Sequence, residues 1–418
     1  MRPASGVWLL AISMAALGQT RQAATEETQL AHANTDQRIK AYEKMMAAAP
    51  GEAHYEAGLI SAYLQKLRET SDPGYLDRAA KLVDSMLETD GGDFIALRFQ
   101  NEIDLQRHDF KRASERALDM AKYAPSDAGN WGNLGDASME LGQYEQAGRA
   151  YLKMFSLRPN LASYNRLAYF RFVTGDAAAA IGLMRNAVEA GDAAPENAAW
   201  CWAELGDMYF KTGQVGEAEK SYRTALSLFP TLHRASAGLG RVEAARGNLQ
   251  AAILRYERAQ SIVPLVEYAG ALEDLYTATG RTSKAQGQRE LISTIESLGR
   301  VANETTNRNL ALLLADHARR LPFALRLVET ELPVRSDVYT WDALAWVLFR
   351  NGRLEEAKAA SVKALQFRTP EPVFYYHATK IAEATGDRVA ADQYSERLVA
   401  LNPKFDFAKA RMTQSGGR

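Results

Sequence analysis

Cysteine is nearly absent: Cys201 is the only one in 418 residues. A lone thiol rules out an intrachain disulfide and a cysteine-built metal site. It does not identify a redox compartment, because exported proteins can do without cysteine. Proline is sparse, with 13 residues, and most of these fall between expected helices. Nowhere do valine, isoleucine and threonine alternate over a useful length, so no strand is expected. Neither sign of charge dominates, with 50 Lys and Arg against 51 Asp and Glu. Such a chain has no strong field to gather nucleic acid.

Motifs that carry chemistry are missing too. The six histidines include no metal-binding pair at helical spacing, and no H-E-x-x-H occurs. Gly238-Leu239-Gly240 lacks the third glycine and the preceding strand of a dinucleotide fingerprint. No G-x-x-x-x-G-K-[ST] and no G-x-S-x-G exists, and Gly280–Lys284 reads as a turn between helices. Carboxylate pairs such as Glu355/Glu356 lie on solvated helix faces. No catalytic residue, cofactor site or metal site is assigned, and an enzyme is not expected.

Long apolar runs are limited to one. Gly6–Leu17 (GVWLLAISMAAL) follows the positive Arg2 and is short for a membrane span. It reads as the core of a signal peptide, residues 1–18, with cleavage after Gly18 or alternatively Ala24. Gln19 stands where a lipoprotein would carry its cysteine. The expectation is export to the periplasm or beyond, with residues 19–35 as a flexible lead-in and no stable membrane span.

What the chain has in plenty is a beat. A glycine precedes an alanine by five positions at Gly142/Ala147, Gly175/Ala180, Gly213/Ala218, Gly247/Ala252, Gly280/Ala285, Gly352/Ala357 and Gly386/Ala391. The step is close to 34 residues, the length of a helix–turn–helix unit. Apolar residues before each glycine recur at three- and four-residue spacing, one face of a helix. The glycine ends that helix in the left-handed conformation. The alanine lets the second helix cross close to the first.

Residues 199–230 carry Trp202-x2-Leu205-Gly206-x2-Tyr209, Ala218-x3-Tyr222 and Pro230. Residues 128–159 repeat this with Trp131, Leu134, Gly135, Ala147, Tyr151 and Pro159. Units at 233–264 and 372–403 match more loosely. These motifs resemble the tetratricopeptide repeat. The resemblance implies an all-α, right-handed solenoid of about ten antiparallel helix pairs, with the first helix of each pair lining a concave groove. An unpaired helix is expected over Asp36–Ala49 and a short terminal one over Phe405–Met412. His108 and Arg319 stand at the glycine place in two weaker units. The alanine step lengthens to 38 between Ala180 and Ala218 and to 39 between Ala285 and Ala324. The expected organisation is a first array over 36–298, a break or hinge at 299–304, a second array over 305–413 and a tail at 414–418.

The resemblance also implies where function sits. Mapped onto the groove, one inward set is Asp316, Tyr339, Asp342, Trp346, Phe349, Tyr376 and Lys380. A second is Asn133, Asp136, Asn165, Tyr169, Asp207 and Arg241. Aromatic side chains beside charges suit a binding surface. The family's chaperone-binding subtype is excluded, because Gly132 stands where a groove lysine is needed. The leading expectation is a non-catalytic exported scaffold holding a protein or peptide partner. The alternative is a component of envelope or polysaccharide-export assembly with a glycan in the groove.

Overall fold

The computed structural model describes Leu30, residues 33–192, 194–301, 307–403 and Phe405. The expected signal peptide and positions 406–412 of the expected terminal helix lie outside these residues, as do positions 302–304 of the expected break. Among the described residues there are 21 helices and no strand. The first, α1 (Thr35–Ala48), is unpaired, and ten hairpins follow in chain order. They are α2 (Ala53–Thr70) with α3 (Pro73–Thr89), α4 (Phe94–Gln106) with α5 (Phe110–Tyr123), and α6 (Ala128–Glu140) with α7 (Tyr144–Leu157). Next come α8 (Leu161–Val173) with α9 (Ala177–Ala190), α10 (Pro195–Lys211) with α11 (Val215–Leu228), and α12 (His233–Ala245) with α13 (Leu249–Ile262). Then follow α14 (Val266–Ala278) with α15 (Thr282–Val301) and α16 (Arg308–Asp316) with α17 (Leu321–Glu331). The last are α18 (Val338–Arg350) with α19 (Leu354–Ala364) and α20 (Pro372–Ala384) with α21 (Arg388–Leu401).

Two compact units partition the chain, Met1–Ile103 and Asp104–Arg418. In the first, Ile39, Leu59, Ile60, Tyr63, Val83, Met86 and Phe99 form one core. In the second, alanines at the helix crossings are buried, among them Ala147, Ala180, Ala218, Ala252, Ala324 and Ala357.

The hairpin turns follow from the beat. All seven glycines have positive φ, from 69° at Gly142 to 94° at Gly175. In Gly175-Asp176 and Gly386-Asp387 the next residue caps the second helix, Asp176 accepting from the Ala179 amide and Asp387 from the Ala390 amide. His108 takes the glycine's conformation at φ 59°, as the spacing predicts. The second lapse is one residue away from the expected place. Ala318, at φ 51°, makes the glycine's hydrogen bond, and Arg319 makes the next one, to the Leu314 carbonyl. Arg320 is also left-handed, at φ 46°. That extra residue explains why Ala324 trails its turn by six positions rather than five.

In the best-matching repeats a second glycine serves packing. A Cβ on Gly206 would lie 2.5 Å from the Tyr222 ring, and one on Gly135 would overlap the Tyr151 ring. Both rings are fully buried. Gly206→Ala is therefore expected to destabilise the second unit by about 1–3 kcal/mol through overpacking. Urea unfolding checks this, with Gly216→Ala, where nothing lies within 4 Å, as the control.

Candidate partner-binding face

First helices of neighbouring hairpins touch one another in the second unit, as in α6–α8, α8–α10, α10–α12 and α16–α18–α20. Second helices mainly touch their own partner and the next first helix. First helices thus line the tighter, inner side of the row. The thirteen residues expected there divide by depth. Asp136, Tyr169, Tyr339, Phe349, Tyr376 and Lys380 are half-buried. Asn133, Asn165, Asp207, Arg241, Asp316, Asp342 and Trp346 are buried. Most of the buried ones tie neighbouring hairpins together.

The glycine–tyrosine module builds the first of these ties. With no side chain on Gly135 or Gly206, the tyrosine of the second helix passes under the first and reaches the residue after the glycine. Tyr151 donates to Asp136 at 2.8 Å, and Tyr222 donates to Asp207 at 2.6 Å. Each aspartate then receives an arginine from the next hairpin. Arg166 binds Asp136 through Nε at 3.0 Å and Nη2 at 2.8 Å. Arg234 reaches Asp207 at 3.1 Å, and Arg241 binds the same carboxylate and donates to Tyr222 at 2.9 Å. Burial alone would raise the Asp207 carboxyl, but Arg241, Arg234 and Lys211 hold it below its ordinary value. In the next unit Arg241 replaces the aspartate. The hydroxyl of Tyr256 there has no hydrogen-bond partner among the described residues.

The other set forms an aromatic tie. Trp346 donates to Asp316 at 2.8 Å and stacks on His377 with ring centres 4.1 Å apart. His377 in turn contacts Asp342 at 3.0 Å through Nδ1. Phe349 stacks on Trp346 at 5.1 Å, and Tyr376 lies beside it at 6.1 Å. Lys380 pairs with Glu383 at 2.8 Å, and its side chain is 40% exposed.

Several residues of this region carry no motif. Lys211 pairs with Glu371 at 2.7 Å, and its Nζ lies 5.5 Å from the centre of the Tyr339 ring. Burial would lower the Lys211 ammonium, yet Glu371 and Asp207 hold it above its ordinary value. Arg234 also pairs with Glu204 and covers Trp200 at 5.5 Å. Glu267 accepts from Asn309 at 2.6 Å, and burial pushes its carboxyl upward. A signal existed for part of this. Asp136 and Arg166, Glu204 and Arg234, and Asp316 and Trp346 are each 30 residues apart, about one repeat.

No group of three or more metal-ligating side chains stands together among the described residues. Nor is any helix there long and apolar enough to cross a membrane.

Packed helix pairs joined by glycine turns and tied along one face define an α-helical repeat scaffold. The chain is a tetratricopeptide-repeat protein: family models of the repeat match residues 128–161 and 199–232. These two stretches carry the aspartate–tyrosine modules of Asp136 and Asp207. Similar solved structures are entitled "Crystal structure of MamA", at 21% identity, and "Crystal structure of MamA protein", at 20%. They cover 38% and 41% of this chain and 92% of each of those chains, both with a TM-score of 0.32. No curated relative matches the chain.

Proposed function

We infer that the chain is an exported, non-catalytic scaffold whose inner face holds a segment of a partner protein. One observation carries the reading. The inner face of the second unit presents half-buried aromatic and charged side chains in sequence, namely Tyr169, Trp200, Tyr339, Phe349 and Tyr376 beside Asp136, Arg166, Arg234 and Lys380. Half-buried aromatics beside charges offer large contact area at low entropic cost, because their neighbours already hold them. The Gly6–Leu17 run supports export, and the absence of catalytic motifs in the sequence supports a scaffold.

The test uses the side chains that reach solvent and avoids the buried ties. Tyr169→Ala combined with Tyr376→Ala is expected to lower capture of the native partner by about tenfold or more, since each truncation of an anchor costs on the order of 1–2 kcal/mol. The thermal midpoint should fall only slightly. Leu254→Ala, on the exposed part of α13, should leave capture unchanged. Full capture by the double variant would count against this face.

A further inference from the structure

The second unit folds back on itself at three evenly spaced places. Three consecutive hairpin turns, near Gly142, Gly175 and Gly213, receive three consecutive linkers from late in the chain. At the first, the Ser336 amide donates to the Glu140 carbonyl at 2.9 Å, and its hydroxyl donates to the Leu141 carbonyl at 2.8 Å. The Val338 amide donates to the Tyr144 hydroxyl at 2.8 Å, and Arg335 pairs with Glu140. At the second, the Thr369 hydroxyl donates to the Val173 carbonyl at 2.6 Å, and Phe367 meets Tyr144 edge-on at 4.7 Å. At the third, a Cβ on Gly213 would lie 3.5 Å from the Leu401 carbonyl, and just before this turn Lys211 binds Glu371 of the second linker, which joins the second and third contacts. The first two contacts join residues 194 to 196 apart. Val338 and Phe374 share a core with Tyr144, Tyr151 and Val173, so the seam is apolar beneath its polar surface.

The turn glycines record the same event. A Cβ on Gly142 would stand 2.6 Å from the Ser336 carbonyl oxygen, and one on Gly175 would overlap the Phe367 carbonyl. At Gly247, Gly280, Gly352 and Gly386 nothing lies within 4 Å. Turn geometry alone favours glycine at all of these positions. Only at the first two does a backbone from another part of the chain need the space as well.

We propose that these three contacts form a clasp that opens and closes as one unit and controls access to part of the inner face. When closed, it covers Phe172, Lys211 and Glu371 and packs Tyr339 between Lys211 and Arg308. The clasp is made of contacts between linkers, turns and side chains, none of them a hydrogen bond internal to a helix, and its two ion pairs bridge distant segments. Such a surface opens at lower free energy than the helices it joins. The consequence for binding rests on the inner face being the partner's site. The opening itself is read without a partner, so the two claims fail separately.

The experiment is hydrogen exchange on the full chain, with acylation of Lys211 read by mass spectrometry. Gly175→Ala alters the second contact. It is expected to speed exchange of the Ser336 and Val338 amides, at the first contact, by about tenfold or more, and to raise Lys211 acylation in proportion. Gly247→Ala imposes the same backbone strain where nothing is touched and should do neither. Amides inside α12 should keep their rates in both variants. If Gly175→Ala does not fold, Thr369→Val removes only the hydroxyl bond and is read in the same way. Unchanged exchange at Ser336 and Val338, or an equal response to Gly247→Ala, would overturn the clasp.

Discussion

Asp207→Ala is expected to destabilise the Asp104–Arg418 unit by about 3–5 kcal/mol, because it strands a buried cation. Arg241 is only 4% exposed, and its charge is answered by the Asp207 carboxylate. Removing that carboxylate also takes the acceptor from Tyr222 and one of two partners from Arg234. Neither Arg241 nor Tyr222 can turn to water without opening the crossing between α10, α11 and α12. Asp207→Asn should cost somewhat less, since the amide oxygen still accepts one hydrogen bond. The pH dependence has a definite sign. Asp207 titrates in the fold below its ordinary 3.8, so its contribution is fully present above that value. It is lost as pH falls through the lower folded value. Wild type should therefore lose stability below about pH 4 more steeply than Asp207→Asn. Urea midpoints measured across this range for both proteins check the difference.

Trp346→Ala should cost a similar amount, about 3–5 kcal/mol, by leaving a cavity in the largest apolar cluster. The indole is 3% exposed, stacked between Phe349 and His377 and tied to Asp316. The prediction separates two roles that the sequence left joined. An aromatic residue on the first helix of a repeat can face a partner or fill the space between hairpins. At Trp346 the structure assigns the second role, and at Tyr376 both remain open to solvent and neighbour alike. Loss of binding in a Trp346 variant would follow from lost packing and says little about direct contact. Circular dichroism melts of Trp346→Ala and Tyr376→Ala check the contrast, with the larger fall expected for Trp346.

The repeat architecture was legible because its determinants are local. Gly175 must be followed by a helix whose crossing residue is small, and Ala180 stands five positions later to supply it. His108 could be placed at a glycine position because one left-handed residue leaves the register intact. Ala318 could not, because a second left-handed residue at Arg320 shifts the register by one. The ties within the face were half legible. Asp136 and Arg166 stand one repeat apart, so their pairing follows from stacking, but nothing local says that Asn165 is buried and Tyr169 is not. The seam was not legible at all. Lys211 and Glu371 meet only because the second unit returns on itself, and that return sums small rotations from every hairpin between them.

The proposed placement of a partner protein along the first helices of the second unit rests on their half-buried aromatic and charged side chains. Its most direct test is site-specific photocrosslinking of the full chain in its native setting. A photoreactive residue would replace Tyr169 or Tyr376 on the inner side, or Leu152 or Leu254 on exposed second helices. If the partner lies there, both inner positions crosslink to one and the same protein and the outer positions do not. Crosslinks to that protein from Leu152 or Leu254, with none from Tyr169 and Tyr376, would contradict it.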